Sequence, residues 1–173
     1  MDEATIDAAR RGDRPAQGRL LTALQDVWFR FCLSQLRDQD LAADATQETA
    51  LRFLRQLANF RGESQLQTWS LGIALNVVRE QKRKRSPELL DRDPELAAER
   101  SSVGSRLEDA EEQNQMRAML DTLPDRQREA LTLRFFEELS VEQTATVMNC
   151  AAGTVKATVH QALRALREKM KQS

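Results

Sequence analysis

The sequence predicts an all-α chain of two small helical domains joined by a flexible linker, and three observations carry that prediction. Apolar residues recur at three- and four-residue spacing on both sides of a central stretch, and no segment alternates as a half-buried strand would. Pro87, Pro94, Gly104 and the serines Ser86, Ser101, Ser102 and Ser105 crowd that central stretch, whose apolar residues are too sparse to bury a core. Charge divides the chain in the same places. Residues 79–85 set Arg79, Lys82, Arg83, Lys84 and Arg85 against Glu80; residues 86–114 hold nine carboxylates against three arginines; residues 149–173 return to five cations against one carboxylate.

The whole-chain totals hide this pattern. The chain has 173 residues, 40% of them hydrophobic and 31% charged, with a net charge of -1. Its mean hydropathy is -0.59. No apolar run approaches the ~20 residues a membrane span needs, so membrane insertion is not expected. The amino terminus begins Met1-Asp2-Glu3-Ala4-Thr5 without an apolar secretory core, which makes the cytoplasm the expected compartment. With one histidine in the chain, Cys32 and Cys150 cannot complete a four-ligand zinc site of Cys and His alone. Both are expected to be buried structural thiols, and no metal or cofactor is implied.

Taken in order, the first helical stripe runs through Leu20, Leu21, Leu24, Val27, Trp28, Phe31 and Leu36. Asp44 followed three residues later by Gln47 reads as a helix start, giving a helix from Ala45 to Leu57 with Leu51, Phe53, Leu54 and Leu57 inward. A glycine-containing loop bracketed by aromatics, Phe60 through Trp69, leads into a helix carrying Trp69, Leu71, Ile73, Ala74 and Val77 and ending in the basic run. Beyond the acidic stretch, Met116, Met119, Leu120 and Leu123 are stopped by Pro124, and Ala130, Leu131, Leu133 and Phe135 follow.

The sharpest local signal comes last. Ser140 and Gln143 form a capping box, so a helix starts at Val141 and runs to Met148 before Asn149-Cys150-Ala151 breaks it. A longer helix begins near Ala152 with Val155, Val159, Ala162, Leu163, Leu166 and Met170 on one stripe. A short helix, a turn and a longer amphipathic helix make a helix-turn-helix. The face opposite the stripe holds Gly153, Thr154, Ala157, His160, Gln161 and Arg164, flanked by Lys156 and Thr158. A recognition helix would present that face to a major groove; an ordinary helical hairpin would leave it solvated.

The segment from Leu123-Pro124 through Leu139-Ser140, followed by Asn149-Cys150-Ala151-Ala152-Gly153-Thr154-Val155-Lys156, resembles region 4 of the extracytoplasmic-function sigma factors of bacterial RNA polymerase. Gly153-Thr154-Val155-Lys156 is shared with regulators of the LuxR type, but the Leu-Pro-x-x-x-Arg lead-in is closer to the sigma pattern. A second set of residues matches independently. Asp44, Gln47-Glu48-Thr49, Phe60-Arg61-Gly62-Glu63, Thr68-Trp69, Ile73-Ala74 and Asn76 resemble sigma region 2 in order and spacing. The resemblance implies a region 2 domain at residues 1–86, an acidic linker at 87–106 and a region 4 domain at 107–173.

Its functional implications are specific. Core RNA polymerase would be met at Asp44, Gln47, Glu48, Thr49 and Arg52, which face the clamp helices of the largest subunit, and region 4 would meet the flap. Glu48 and Arg52, at i and i+4, read equally well as a local surface pair. The flipped base of the minus-10 element would be surrounded by Phe60, Arg61, Gly62, Glu63, Ser64, Thr68, Trp69 and Asn76, with Arg79, Lys82, Arg83, Lys84 and Arg85 near phosphates. Packing is the competing reading for Trp69. The minus-35 duplex would meet Gly153, Thr154, Lys156, Ala157, Thr158, His160, Gln161 and Arg164. An anti-sigma factor is a further partner of the family, covering the region 2 and region 4 faces.

The sequence also departs from the family pattern. Leu66 and Ala50 stand where aromatics are common and Leu75 where Arg is frequent. In the last helix Ala157 replaces the usual Ser, and Thr158, Gln161 and Leu163 replace Arg, while Ala151 replaces a Ser cap. Each lost phosphate contact lowers the salt dependence of duplex binding by roughly 0.9. Three alternatives therefore stand beside a promoter-directing sigma factor: a sigma-like regulator with weakened promoter binding that acts through protein contacts, a LuxR-like regulator, and a helical scaffold. An enzyme is not expected, because the chain has no glycine-rich phosphate loop and no nucleophile paired with a base.

Overall fold

A computed structural model of the chain describes residues 2–85 and 118–171, and the expected linker at 87–106 lies outside the described residues. By backbone contacts the chain divides into two compact units, Met1–Lys82 and Arg83–Ser173. Every regular element among the described residues is helical.

The first unit contains α1 (Glu3–Arg10), α2 (Arg14–Leu36), α3 (Gln39–Gln56), a short 3-10 turn (Leu57–Asn59) and α4 (Leu66–Arg85). The starts of the first three are set locally. Asp2, Asp13 and Asp38 hold extended backbone, and their carboxylates accept from the amides of Thr5, Ala16 and Leu41 at 2.7, 2.8 and 2.9 Å. Pro15, in the first turn of α2, occupies a position where its missing N–H costs nothing. Arg37, in the left-handed region, ends α2.

Two sequence expectations change here. The helix expected to start at Asp44 starts six residues earlier, where the Asp38 carboxylate caps the Leu41 amide, and Asp44 lies exposed inside it. The amino-terminal segment, to which no element was assigned, is α1; Gln17 Nε2 ties it to α2 by donating to Ala9 O at 3.1 Å.

The core of this unit is aromatic. Trp28, Phe31 and Phe53 are fully buried, and rings pack in series from Trp28 to Phe53 to Trp69 to Phe60, with centroids 5.2, 5.7 and 5.1 Å apart. Trp28 Nε1 donates to Ser70 Oγ at 2.9 Å, which satisfies the buried indole and links α2 to α4. Leu51, expected inside, is 50% exposed. Cys32 is buried as expected, and burial pushes its thiol up to about 12.

In the second unit a helical turn at 118–121 precedes Pro124; α5 (Asp125–Leu131), a π-helical turn (Thr132–Phe136), α6 (Val141–Met148) and α7 (Ala152–Met170) follow. Leu120, Leu123, Leu131, Ala162 and Leu166 form one core cluster, with Met119, Val159 and Ala165 against it, and Leu133, Met148 and Val155 are buried as well. Arg128, on α5, is buried and donates to Leu123 O at 3.2 Å and to the Asp125 carboxylate. The capping box forms as the sequence requires: Gln143 N donates to Ser140 Oγ at 3.0 Å, and Ser140 N to Gln143 Oε1 at 2.7 Å. Asn149, left-handed, ends α6, and Ala151 starts α7 without a side-chain bond. Phe135, Leu163 and Met170, read as core, are exposed, and Cys150 is only half-buried. The α7 stripe is narrower than its apolar residues suggest, because one packed layer reaches only Val155, Ala162 and Leu166 fully.

Candidate nucleic-acid and protein interfaces

Helix α3 presents Asp40, Asp44 and Gln47 to solvent, with Glu48 half-buried and Leu51 exposed beside them. The spacing places these five residues on one face. Of the predicted polymerase contacts, Asp44, Gln47 and Glu48 belong to it. Thr49 does not: it is fully buried and its hydroxyl donates to Ala45 O at 2.7 Å. Arg52 is turned to α4, where Nη1 and Nη2 donate to the two oxygens of Glu80 at 2.7 Å each while Nε donates to Glu48 Oε1 at 2.6 Å. The two carboxylates hold its pKa further above the ordinary range. Asp40 and Leu51, which the sequence reading does not place on this face, share its exposure; the i, i+4, i+7 continuation of the acidic residues is the signal that reaches them.

The predicted minus-10 residues separate into two layers. Phe60 and Thr68 are buried, and Trp69 is half-buried between the rings of Phe53 and Phe60, so these three support the loop from beneath. Arg61, Gly62, Glu63 and Asn76 are exposed and Ser64 is half-buried. Gly62 has φ +75, which a side chain rarely adopts, so the glycine sets the loop's turn. At the end of α4, Arg83, Lys84 and Arg85 are exposed and Arg79 and Lys82 half-buried. Arg52, Gln56, Ile73, Asn76 and Glu80 line a shallow hollow between α3 and α4.

On α7 the residues predicted to face away from the core do so. Gly153, Thr154, Lys156, Ala157, His160, Gln161 and Arg164 are exposed, and Thr158 is half-buried. Arg164 Nε donates to Glu168 Oε1 at 3.0 Å across one exposed turn, a pair worth a few tenths of a kcal/mol. Among the described residues, no group of three His, Cys, Asp or Glu could hold a metal, and no helix is long and apolar enough to cross a membrane.

Comparison with known proteins bears on both units. The family model for sigma-70 region 2 matches residues 20–88, and the model for sigma-70 region 4 matches residues 113–166. The RNA polymerase sigma-H factor of Pseudomonas aeruginosa is 32% identical over 178 residues, covering 96% of this chain and 92% of that protein. The ECF RNA polymerase sigma factor EcfG of Rhodopseudomonas palustris is 37% identical over 132 residues, covering 76% and 72%. Among solved structures, the sigma factor RpoE of Bartonella quintana, in complex with the anti-sigma factor NepR, aligns with a TM-score of 0.74 and 27% identity over 89% of this chain and 96% of that one.

Proposed function

The chain belongs to the sigma-70 family of RNA polymerase sigma factors, in its extracytoplasmic-function branch, and directs promoter-specific initiation; from that premise we propose how its faces divide the work. Residues 1–86 bind core polymerase and open the minus-10 element, residues 87–106 link, and residues 107–173 read the minus-35 duplex. The exposed acidic face of α3, with Asp44, Gln47, Glu48 and Leu51, docks on the polymerase clamp helices. Arg61, Gly62, Glu63, Ser64 and Asn76 receive the unstacked minus-10 base, and the cations ending α4 follow the phosphate backbone. Region 4 meets the flap and lays α7 in the major groove.

One observation carries this reading best. Seven of the eight residues assigned to the minus-35 duplex are exposed together on α7, on the side opposite Val155, Ala162 and Leu166. A core residue would have to leave its packing to reach a base edge, whereas these need no rearrangement. An anti-sigma factor would cover the same region 2 and region 4 faces, a reading supported by the likeness to RpoE of Bartonella quintana in its complex with NepR. Sigma factors are initiation factors, and this reading assigns no catalysis to the chain. It works where core polymerase does, in the cytoplasm.

The missing arginines make the minus-35 contact electrostatically weak. Reconstitution with core polymerase and run-off transcription tests the whole reading, and Thr158→Arg with Gln161→Arg tests the α7 part. The added cations should tighten holoenzyme binding to minus-35 duplex about tenfold and steepen its salt dependence by roughly 0.9 per new contact. Unchanged affinity and slope would mean that this face does not meet DNA, and would favour a regulator acting through protein contacts.

A further inference from the structure

Arg52 sits where the two roles proposed for the first unit meet. It belongs by sequence to the polymerase-docking helix, yet its planar fork engages both oxygens of Glu80 on α4 at 2.7 Å, and its Nε takes Glu48 Oε1 at 2.6 Å. Side chains of Arg52, Glu80 and Glu48 are 27%, 32% and 38% exposed, so the cluster is half-withdrawn from water and its charges are screened less than those of a fully exposed pair. Glu80 is the one carboxylate within residues 79–85. It precedes Arg83 and Lys84 by three and four residues, the spacing at which a carboxylate faces a cation on the same helix. Removing Arg52 takes one positive charge from beside Glu80 and leaves its carboxylate less compensated among the groups meant for phosphate.

We infer that Arg52 serves the DNA side of this unit: by neutralising Glu80 it keeps the basic end of α4 attractive to promoter phosphates, and it is a positioning residue for that surface instead of a polymerase contact. The inference rests on the reading that α4 meets promoter DNA. It is separable from two other roles. As a polymerase contact, Arg52 would lower core affinity when removed, whatever the charge on residue 80; three of its five N–H groups are already engaged by Glu48 and Glu80. As a tie holding α3 to α4, it would act through the bridge itself, whatever the charge on Glu80.

The test uses reconstituted holoenzyme, with core affinity and promoter affinity measured separately. Arg52→Ala should weaken promoter binding about tenfold at low salt while core affinity stays within twofold. Adding Glu80→Gln should return promoter binding to within twofold of the parent, since the offending charge is gone. A bridge-dependent tie would leave the double variant as defective as the single one, and a polymerase contact would lower core affinity in both; either result overturns the inference. Circular dichroism of each variant should retain the parent helix content, and Arg52→Lys, which keeps the charge but loses the fork, should lie between parent and Arg52→Ala. Lys82→Gln with Arg83→Gln is the control for the underlying reading. If it leaves promoter binding intact, the α4 contact itself is wrong; if it weakens binding while Arg52→Ala does not, only the role of Arg52 falls.

Discussion

Helices α1, α2 and α3 of the first unit each begin on an aspartate whose carboxylate takes a first-turn amide, whereas α5 and α7 of the second unit begin on Pro124 and Ala151, which supply no such bond. The cores differ in the same sense. A series of four rings joins α2, α3 and α4 in the first unit, while the main cluster of the second is built from leucines and an alanine, with Phe135 and Phe136 left exposed at 54% and 55%. The first unit therefore has local and tertiary signals in agreement at most of its helices. The second has an aliphatic core, in which Leu133, Met148 and Val155 are buried besides the Leu120–Leu166 cluster, and among its described helix starts one capping box.

The two cysteines, one in each unit, give the largest expected contrast. Cys32 is buried and its thiol is raised to about 12, so at pH 8 very little thiolate exists and reagent cannot reach it. Cys150 is half-buried in the turn between α6 and α7. Under native conditions Cys150 should be alkylated on the order of a thousandfold faster than Cys32. Mass spectrometry of the labelled peptides measures this. Comparable rates would show that the aromatic core opens as readily as the turn, and the contrast between the units would collapse.

Deleting one large core side chain from each unit sharpens the comparison at the next scale. Trp28→Ala removes a ring that touches Phe53 and the indole bond to Ser70 Oγ, whose hydroxyl keeps its bond to Gln67 O, and should cost about 4 kcal/mol. Leu166→Ala, at the edge of the second cluster and 9% exposed, should cost about 2 kcal/mol because the site relaxes more easily. Denaturant midpoints followed by unit-specific hydrogen exchange decide the order. Equal costs would remove the contrast, and a reversed order would place the stronger core in the second unit.

What the sequence made legible follows from how far apart the cooperating residues lie. The α6 start was readable because Ser140 and Gln143 are three residues apart, and the α7 face because 100° steps fix which residues oppose Val155 and Ala162. Asp44 and Gln47 match a helix start in spacing, but the start is set by the Asp38 carboxylate on the Leu41 amide, and Asp44 falls inside the helix. The Arg52–Glu80 bridge joins residues 28 apart, beyond any periodicity argument. Leu51, Phe135, Leu163 and Met170 failed for another reason: apolar character raises the odds of burial without assigning it, since folded surfaces carry much apolar area. Among the candidate contacts, Thr49, Phe60 and Thr68 were misplaced because a motif marks position along a helix but not depth beneath the surface.

The smallest expected effect concerns the missing cap on the recognition helix. Ala151 already has the extended backbone of a cap residue, with φ -71 and ψ 149, close to the φ -63 and ψ 168 of Ser140. Its carbonyl accepts from Thr154 N at 3.0 Å and Val155 N at 3.2 Å, so Ala151 lacks only a side-chain acceptor. Ala151→Ser should therefore stabilise the second unit by about 1 kcal/mol, and Ser140→Ala should destabilise it by a similar amount, since it removes the acceptor of the Gln143 amide while the backbone amide of residue 140 can still donate to Gln143 Oε1. The two substitutions are best compared in one denaturant series at constant m-value. If Ala151→Ser leaves the midpoint unmoved while Ser140→Ala lowers it, the start of α7 is already satisfied by its backbone, and the missing cap is no source of weakness in the second unit.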